Sequence, residues 1–195
     1  MWKRKGLWLR FKTYRFLIKE SVPATMFVSG IWIDSHLAEF RELSQEGLFE
    51  IENHGLNHRP LTISGRSVYG ITSTRNISGV IEEVGLNAKK IKQLSGKKTK
   101  FYRSGTAYYD EISVRIANSL EHAAVNFDVL SGDAIPGASR DAITKRVVKD
   151  SKKGSIVIFH MNHPERNTRQ AVEESVFLLR DKGYKFVKIE DYNLV

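Results

Sequence analysis

Residues 49–58, Phe49-Glu50-Ile51-Glu52-Asn53-His54-Gly55-Leu56-Asn57-His58, join a short apolar and acidic alternation to two histidines. The alternation has the period of two that is typical of a β-strand, and Gly55 indicates a turn directly after it. Three residues separate His54 from His58, a spacing that lets both imidazole rings bind one ion of zinc or a related metal. Two histidines in a polar surface loop would give the same pattern, so the pair needs support from the rest of the chain.

The composition is that of a folded protein. The chain has 195 residues, of which 41% are hydrophobic and 27% charged. This is enough for a sizeable core, so residues 1–195 are predicted to form a single domain. No run of about 18 apolar residues is present, so no transmembrane segment is expected. The absence of cysteine excludes disulfides, thiolate metal sites and cysteine nucleophiles, and any metal must be held by His, Asp, Glu or water.

The formal net charge of +9 raises the question of an anionic partner. Nucleic acid, an anionic membrane surface and an anionic polymer all attract a basic protein. Beyond the N-terminus, the positive residues are scattered except in two short runs, 97–100 and 152–153. We therefore expect no nucleic-acid partner. A binder that depended on charge alone would lose its affinity in added salt.

Residues 1–20 form an atypical basic segment in which Glu20 is the one acid. Three apolar residues alternate as in a short strand: Leu7, Leu9 and Phe11. Residues 16–18 could face the core from a following helix. Arg10 and Lys12 interrupt the apolar part and no small-residue cleavage site follows, so a secretory signal is not predicted. The chain as translated is therefore expected in the cytoplasm.

From residue 23 onward, predicted strands and helices alternate. The predicted strands are 23–30, 48–52, 99–103, 124–129, 154–160 and 186–189. The predicted helices begin near residues 34, 80, 110, 139 and 168, and a polar loop covers 59–75. This alternation favours an α/β fold with parallel strands joined by helical crossovers.

Five polar residues follow the C-terminal ends of predicted strands: His54, His58, Arg103, Asp133 and His160. In a barrel of parallel strands this edge is where side chains converge on a site, and an open doubly wound sheet also binds ligands there. The placement therefore predicts an α/β enzyme without choosing between these folds. Taken singly, His160 could be a core histidine, Arg103 a partner in an ion pair and Asp133 a turn cap.

Four motifs in the right order resemble those of the polysaccharide deacetylases, the NodB-homology or family 4 carbohydrate esterases. Residues 23–30 and 50–58 are similar to the second motif, and residues 101–105, Phe-Tyr-Arg-Ser-Gly, to the third. Residues 127–133 resemble the fourth, although Ala134 stands where the family usually has tryptophan, and residues 156–160 resemble the fifth. The resemblance covers roughly residues 20–190.

The resemblance implies a fold, an activity and a metal. The fold is a distorted (β/α) barrel of about six to seven parallel strands. The activity is hydrolytic removal of acetyl groups from an acetylated oligo- or polysaccharide, at nitrogen or oxygen. A divalent metal, commonly zinc, would be bound by an Asp-His-His triad in which His54 and His58 are the histidines. It would polarise the acetyl carbonyl and activate a water molecule.

The resemblance also implies the catalytic groups. His160 would be the general acid that protonates the departing amine or alcohol. Asp133 would orient His160 and favour its charged form. Arg103 would orient the catalytic base.

The loop after Arg103 is expected to contact the substrate. Ser104 and Gly105 belong to this loop, whose backbone N–H groups would hold the developing oxyanion. Tyr108 and Tyr109 would line a sugar-binding groove. Equally, both tyrosines could pack against the helix that follows.

The first motif of the family, a strand that ends in an aspartate-containing loop, has no counterpart in residues 1–20, which contain no aspartate. The expected metal ligand and the expected base are therefore both missing. Three hypotheses follow. The chain is a shortened deacetylase with little or no activity, through a displaced start or a frameshift. Alternatively, His163, Glu52 or Asp133 replaces the aspartate. In the third hypothesis, the scaffold binds a sugar polymer or a protein without chemistry.

Overall fold

The computed structural model describes residues 12–163 and 165–192. In chain order the described elements are α1 (Lys12–Lys19), β1 (Ala24–Val28), α2 (Gly30–Ser35), α3 (Leu37–Gln45), β2 (Phe49–Asn53), α4 (Ile77–Ser95), β3 (Phe101–Tyr102), α5 (Glu111–Ser119), β4 (Ala123–Ala124), β5 (Val129–Leu130), α6 (Arg140–Asp150), β6 (Val157–Ile158), α7 (Thr168–Asp181) and a 3₁₀ helix (Ile189–Asp191). The predicted fold class, α/β with parallel strands, is confirmed.

The chain divides into two compact units. The four-stranded unit comprises Ala24–Asn126 and the segment from Lys188 onward. Of the described residues, the two-stranded unit comprises 12–23, 127–163 and 165–187. The prediction that residues 1–195 form a single domain remains a prediction.

The sheet of the four-stranded unit has the order β1-β2-β3-β4, and all three pairings are parallel. Val28 pairs with Asn53, Asn53 with Tyr102, and Tyr102 with Ala124. Because the strands are parallel, their C-terminal ends lie at one edge of the sheet. The residues that follow β2 and β3 therefore emerge on the same side.

Helix ends in this unit largely follow capping rules. Asn76 accepts the Gly79 N–H at the start of α4, and Asp110 accepts the Ser113 N–H at the start of α5. Gly96, with φ of 74°, ends α4 as predicted. The helix predicted to begin near residue 34 is α3, which begins at Leu37 after His36 and has no side-chain cap. A separate short helix, α2, precedes it and is capped by the Ser29 hydroxyl.

The apolar core of the four-stranded unit lies between the sheet and α4 and α5. Its fully buried members are Leu61, Val80, Val84, Tyr102 and Ala117. On α5, Ile112 is exposed. Ser113 and Ala117 are the buried residues of this helix, because small side chains let it approach the sheet closely.

The predicted strand 186–189 does not form, and a 3₁₀ helix covers Ile189–Asp191 instead. The Ile189 N–H is bound by the Thr25 hydroxyl and the Glu190 N–H by the Glu50 carboxylate. Side chains of β1 and β2 thus take the N–H groups that a strand would have used for pairing.

In the two-stranded unit, β5 and β6 pair in parallel and α6 packs against α7. The helix α1 packs on α7, with Phe16 edge-on to Phe177 at 5.7 Å between ring centroids. The strand predicted from Leu7, Leu9 and Phe11 lies outside the described residues. No helix in the part of the chain that the structure describes combines the length and the apolar character needed to span a bilayer.

Three of the predicted strands are much shorter than expected, and of these the run 99–103 pairs only at Phe101 and Tyr102. The run 124–129 is divided between β4 and β5, which belong to different sheets. The run 154–160 pairs only at Val157 and Ile158, which are half-buried. Asp128 binds the Ser155 hydroxyl and the Ile156 N–H, so this segment begins with side-chain contacts before its ladder starts.

Both faces of β2 are buried, so its alternation places two carboxyl groups inside the protein. Glu52 is 2% exposed and accepts the N–H groups of Lys100 and Phe101 at 3.0 and 2.8 Å. Burial, and after it the nearby Glu50 carboxylate, raise the pKa of Glu52 from its ordinary 4.5 to about 8. Glu52 therefore carries a proton in the folded protein at neutral pH.

A pH-dependent stability is expected from Glu52. Because its folded pKa lies above its unfolded pKa, the folded state binds the extra proton between pH 4.5 and about 8. The free energy of unfolding should therefore fall as pH rises through this window, by up to about 1.4 kcal/mol per unit. Glu52→Gln should flatten this slope in urea unfolding from pH 5 to 9. Glu82→Gln, at an exposed glutamate, should keep it, and equal slopes for both variants would contradict the assignment.

Candidate functional site

His54 follows β2 directly and its ring is held by the backbone of the next strand. Its N–H bonds Val28 O at 3.0 Å, and its Nδ1 lies 2.7 Å from Arg103 O. A carbonyl oxygen can only accept, so Nδ1 carries the proton and Nε2 carries the lone pair. Histidines that bind metals usually donate their other ring nitrogen in this way, which orients the ring and raises its basicity. The arrangement suits His54 as a metal ligand.

His58 lies beside His54 with its ring perpendicular to it. The ring centroids are 4.8 Å apart and the planes make an angle of 87°. The turn between them needs two left-handed backbone conformations, Gly55 at φ of 81° and His58 at φ of 57°. The structure therefore brings the two predicted metal ligands together.

Gly105, in the loop after β3, packs against the backbone of His58. A Cβ atom at Gly105 would lie 2.3 Å from His58 O and 2.7 Å from His58 Cγ, distances that no real side chain could adopt. The absence of a side chain at Gly105 thus sets the approach of this loop to the histidine turn. Its predicted contact with substrate remains a prediction.

Arg103 is buried, and its guanidinium lies over the Phe27 ring at 4.2 Å from the centroid. It donates Nη2–H to Asn126 O at 2.9 Å and Nε–H to Val125 O at 3.3 Å. Burial lowers its pKa to about 10, so it is still charged at neutral pH. Its predicted role of orienting a catalytic base remains a prediction.

The loop N–H of Ser104 is already bound within the protein. It donates to the Tyr109 hydroxyl at 2.8 Å, and the Ser104 hydroxyl donates to Arg59 O. Burial raises the pKa of Tyr109 to about 12, and its ring packs on the apolar core. Tyr109 therefore fits the packing alternative better than a sugar-binding groove. An oxyanion would have to displace the Tyr109 hydroxyl from the Ser104 N–H, and the predicted role of Ser104 remains a prediction.

Tyr108 differs from its neighbour because its ring is half-buried and meets a charged side chain. The Arg66 guanidinium lies 5.5 Å from the centre of the Tyr108 ring. A sugar ring could compete with Arg66 for the face of this tyrosine. Its assignment to substrate binding remains a prediction.

Beneath the histidine turn lies a group of buried polar residues that the sequence analysis missed: Asn53, Glu83 and Asn87. Asn53 accepts the Gly55 N–H and donates to Val84 O, and Asn87 donates to Val28 O and to Asn53 Oδ1. Glu83 accepts N–H groups from the turn itself. A signal was present, because Glu83 and Asn87 share the helical face of the apolar residues Val80, Val84 and Ile91.

No aspartate or glutamate joins the two histidines as a third ligand in the described residues. Across residues 12–163 and 165–192, no group of three or more His, Asp or Glu side chains is placed to hold a metal ion. The hypothesis that Glu52 completes the metal site is wrong, since its carboxylate is bound to the N–H groups of Lys100 and Phe101. The described residues thus bring two imidazole rings together without a carboxylate beside them.

Asp133 and His160 lie in the two-stranded unit, after β5 and β6. His160 Nδ1 is 2.9 Å and its backbone N–H 2.8 Å from the Asp133 carboxylate, which also accepts the hydroxyls of Ser131 and Thr168 at 2.9 Å. Burial by itself would raise the pKa of Asp133, but the hydrogen bonds from His160 and Thr168 outweigh it and hold that pKa below 3.8. The Asp133 carboxylate therefore accepts a hydrogen bond from His160 Nδ1–H, which leaves Nε2 as the other ring nitrogen.

Two residues near this pair in the chain, Thr168 and His163, each contact an acidic side chain. A helix was predicted to begin near residue 168, and Thr168 is the first residue of α7, with its hydroxyl bound to Asp133. His163, a candidate for replacing the missing aspartate, pairs with Glu165 at 2.9 Å. The assignment of His160 and Asp133 to catalysis remains a prediction.

Comparison with known proteins agrees with the motifs. The sequence model described as polysaccharide deacetylase matches residues 10–125, which is more than half of the chain. The chain belongs to the polysaccharide deacetylase family. A deacetylase of this family, the peptidoglycan-N-acetylmuramic acid deacetylase PdaA of Bacillus subtilis, is 22% identical over 183 residues, covering 92% of this chain and 64% of PdaA.

Solved structures of polysaccharide deacetylases share the fold. The BA3943 protein of Bacillus anthracis, a family 4 carbohydrate esterase (CE4) pseudoenzyme, superposes with a TM-score of 0.78 at 19% identity, covering 91% of this chain and 57% of that one. An acetyl xylan esterase of Clostridium thermocellum, in complex with cobalt, gives 0.76 at 21% identity, covering 92% and 80%. The fold is thus the NodB-like distorted barrel of this family.

The chain spans about half to two thirds of the length of the curated relatives that it matches. One of the structural relatives is a deacetylase fold without activity, and a variant of that protein regained activity. Membership of the polysaccharide deacetylase family therefore establishes the scaffold of this chain, whereas its own activity has to be argued from its residues.

Proposed function

We propose that this chain binds a divalent metal, preferably zinc, through His54 and His58 and removes acetyl groups from an acetylated oligo- or polysaccharide. The observation that carries the proposal is the histidine pair: the His54 Nδ1–H donates to Arg103 O, and the two rings lie 4.8 Å apart. Membership of the polysaccharide deacetylase family supports the same reaction class. The acetyl xylan esterase of similar fold was solved with a divalent metal, cobalt.

The residues of the chain have the chemistry that this reaction needs. A bound metal would supply a Lewis acid for the acetyl carbonyl and would lower the pKa of water. His54 and His58 would hold it through neutral ring nitrogens. We assign to His160 the proton that goes to the departing amine or alcohol, because the Asp133 carboxylate holds its Nδ1 and thereby orients the ring.

A second function is favoured by a different observation. The described residues place no carboxylate with His54 and His58, so the third metal ligand of the family is missing from them. The BA3943 pseudoenzyme demonstrates that the fold exists without activity. In this alternative the chain binds an acetylated sugar polymer and does not hydrolyse it.

Zinc titration together with an acetate assay distinguishes the two functions. Protein freed of metal by a chelator is titrated with zinc by calorimetry, and acetate release is measured from acetylated chitin and xylan oligosaccharides. One zinc per chain and zinc-dependent release of acetate are expected for the hydrolase. Binding of an oligosaccharide by metal-free protein, without acetate, would establish the alternative. If the chain binds neither zinc nor an oligosaccharide, both functions are contradicted.

A further inference from the structure

Glu83, on α4, binds both sides of His58. It is 2% exposed, and its Oε1 accepts the Asn57 N–H at 2.9 Å and the Arg59 N–H at 3.1 Å. The amide of Asn57 lies 3.4 Å from Oε2, and the Leu56 N–H bonds the backbone carbonyl of Glu83 at 2.9 Å. The residues before and after the histidine are thus attached to one buried carboxylate.

The conformation of His58 explains what this attachment achieves. His58 has φ of 57°, in the left-handed region that side chains other than glycine rarely adopt. A left-handed residue lets the N–H groups on either side of it converge, and such a concave set of N–H groups binds anions. The Glu83 carboxylate is the anion here, and its bonds offset the unfavourable backbone of His58.

The cost of burying Glu83 makes this contact specific. A carboxylate that leaves water is retained only when hydrogen bonds replace its hydration. Burial raises the pKa of Glu83, and the bonds from Arg59 and Asn57 oppose that rise. The fit is close, since a Cβ atom on Gly55 would lie 2.4 Å from Glu83 Oε1. Glycine at position 55 is therefore required by the carboxylate as well as by its own φ of 81°.

We infer that Glu83 is a positioning residue of the histidine pair, which holds His58 in its left-handed conformation beside His54 by binding the N–H groups of Asn57 and Arg59. Glu83 does not act as a metal ligand in this inference. Its effect on metal affinity rests on the proposed function, whereas its effect on the turn does not.

Three variants test the inference. Glu83→Leu removes both acceptors, Glu83→Gln keeps one carbonyl acceptor without the charge, and Glu82→Gln is the matched control at the neighbouring exposed glutamate. Amide hydrogen exchange of Asn57 and Arg59 should become about tenfold faster or more in Glu83→Leu and change less in Glu83→Gln. Zinc affinity should fall about tenfold to a hundredfold in the same order, as for other residues that orient metal ligands.

Exchange at amides of β2 separates a local role from a general loss of stability. In Glu83→Gln, which keeps the size of the side chain, exchange should accelerate at Asn57 and Arg59 and not at Ile51. Equal acceleration at Ile51, or exchange and zinc affinity like those of Glu82→Gln, would overturn the inference. If the unmodified chain binds no zinc, the proposed function fails, and exchange at the two amides still decides the role of Glu83.

Discussion

Replacing His54 and His58 together by alanine is expected to lower zinc affinity by about a hundredfold or more, because both imidazole ligands are lost. No third His, Asp or Glu joins them in the described part of the chain, so no other residue there can compensate. Calorimetric titration of metal-free protein with zinc measures the effect. Any zinc-dependent release of acetate should disappear with the affinity.

The control for this prediction is His36→Ala, which removes a histidine of the same unit that stacks on Trp32. It should bind zinc like the unmodified chain. The double variant should remain folded, since both rings are only half-buried. Zinc bound with unchanged affinity by the folded double variant would mean that the metal site lies elsewhere, and the proposed function would lose its main support.

Removing the Asp133 carboxylate is expected to cause the largest loss of stability. Asp133→Ala would leave His160 Nδ1 and its backbone N–H, together with the hydroxyls of Ser131 and Thr168, without their buried acceptor. Loss of one partner of a buried charged pair typically costs about 3–5 kcal/mol. Urea unfolding at pH 7 measures the change, and Asp150→Ala, at an exposed aspartate, should cost less than about 1 kcal/mol.

The effect of Asp133 should also depend on pH. Its pKa in the folded protein lies below 3.8, so the stability that its ionised form contributes is present above that value and is lost as pH falls below it. The difference between the original chain and Asp133→Asn should therefore be smaller at pH 3 than at pH 7. A difference that does not change with pH would show that the charge of Asp133 adds nothing to folding.

The elements with strong local signals were the ones that could be predicted from sequence. In α4 the apolar spacing of Val80, Val84 and Ile91 and the terminal Gly96 defined a helix that the structure contains. The strand β2 was predicted to within one residue at each end. The run 186–189 is also largely apolar and was predicted as a strand. However, the N–H groups of Ile189 and Glu190 bind Thr25 and Glu50, which are far away in sequence. No local pattern could have indicated those partners.

In the candidate site, too, the contacts between residues close in sequence could be predicted and those between distant residues could not. His54 and His58 are four positions apart in sequence, and the turn between them brings their rings together. Glu83 lies 26 residues after Asn57, and only the helical periodicity of α4 points its carboxylate to the turn. The hydrogen bond from the Ser104 N–H to the Tyr109 hydroxyl could not be predicted from sequence, because the same tyrosine could equally have faced a sugar.

The buried amide of Asn87 has a consequence for how β1 and β2 find each other during folding. Its single NH₂ group reaches Val28 O on one strand and Asn53 Oδ1 on the other. If either strand slipped by one residue, the Asn87 amide would lose the Val28 carbonyl or the Asn53 side chain as its acceptor, because successive residues of a strand point to opposite sides. Asn87 thus stabilises the observed register of β1 and β2 over a shifted one. Asn87→Leu should widen the range of registers that the two strands sample during folding.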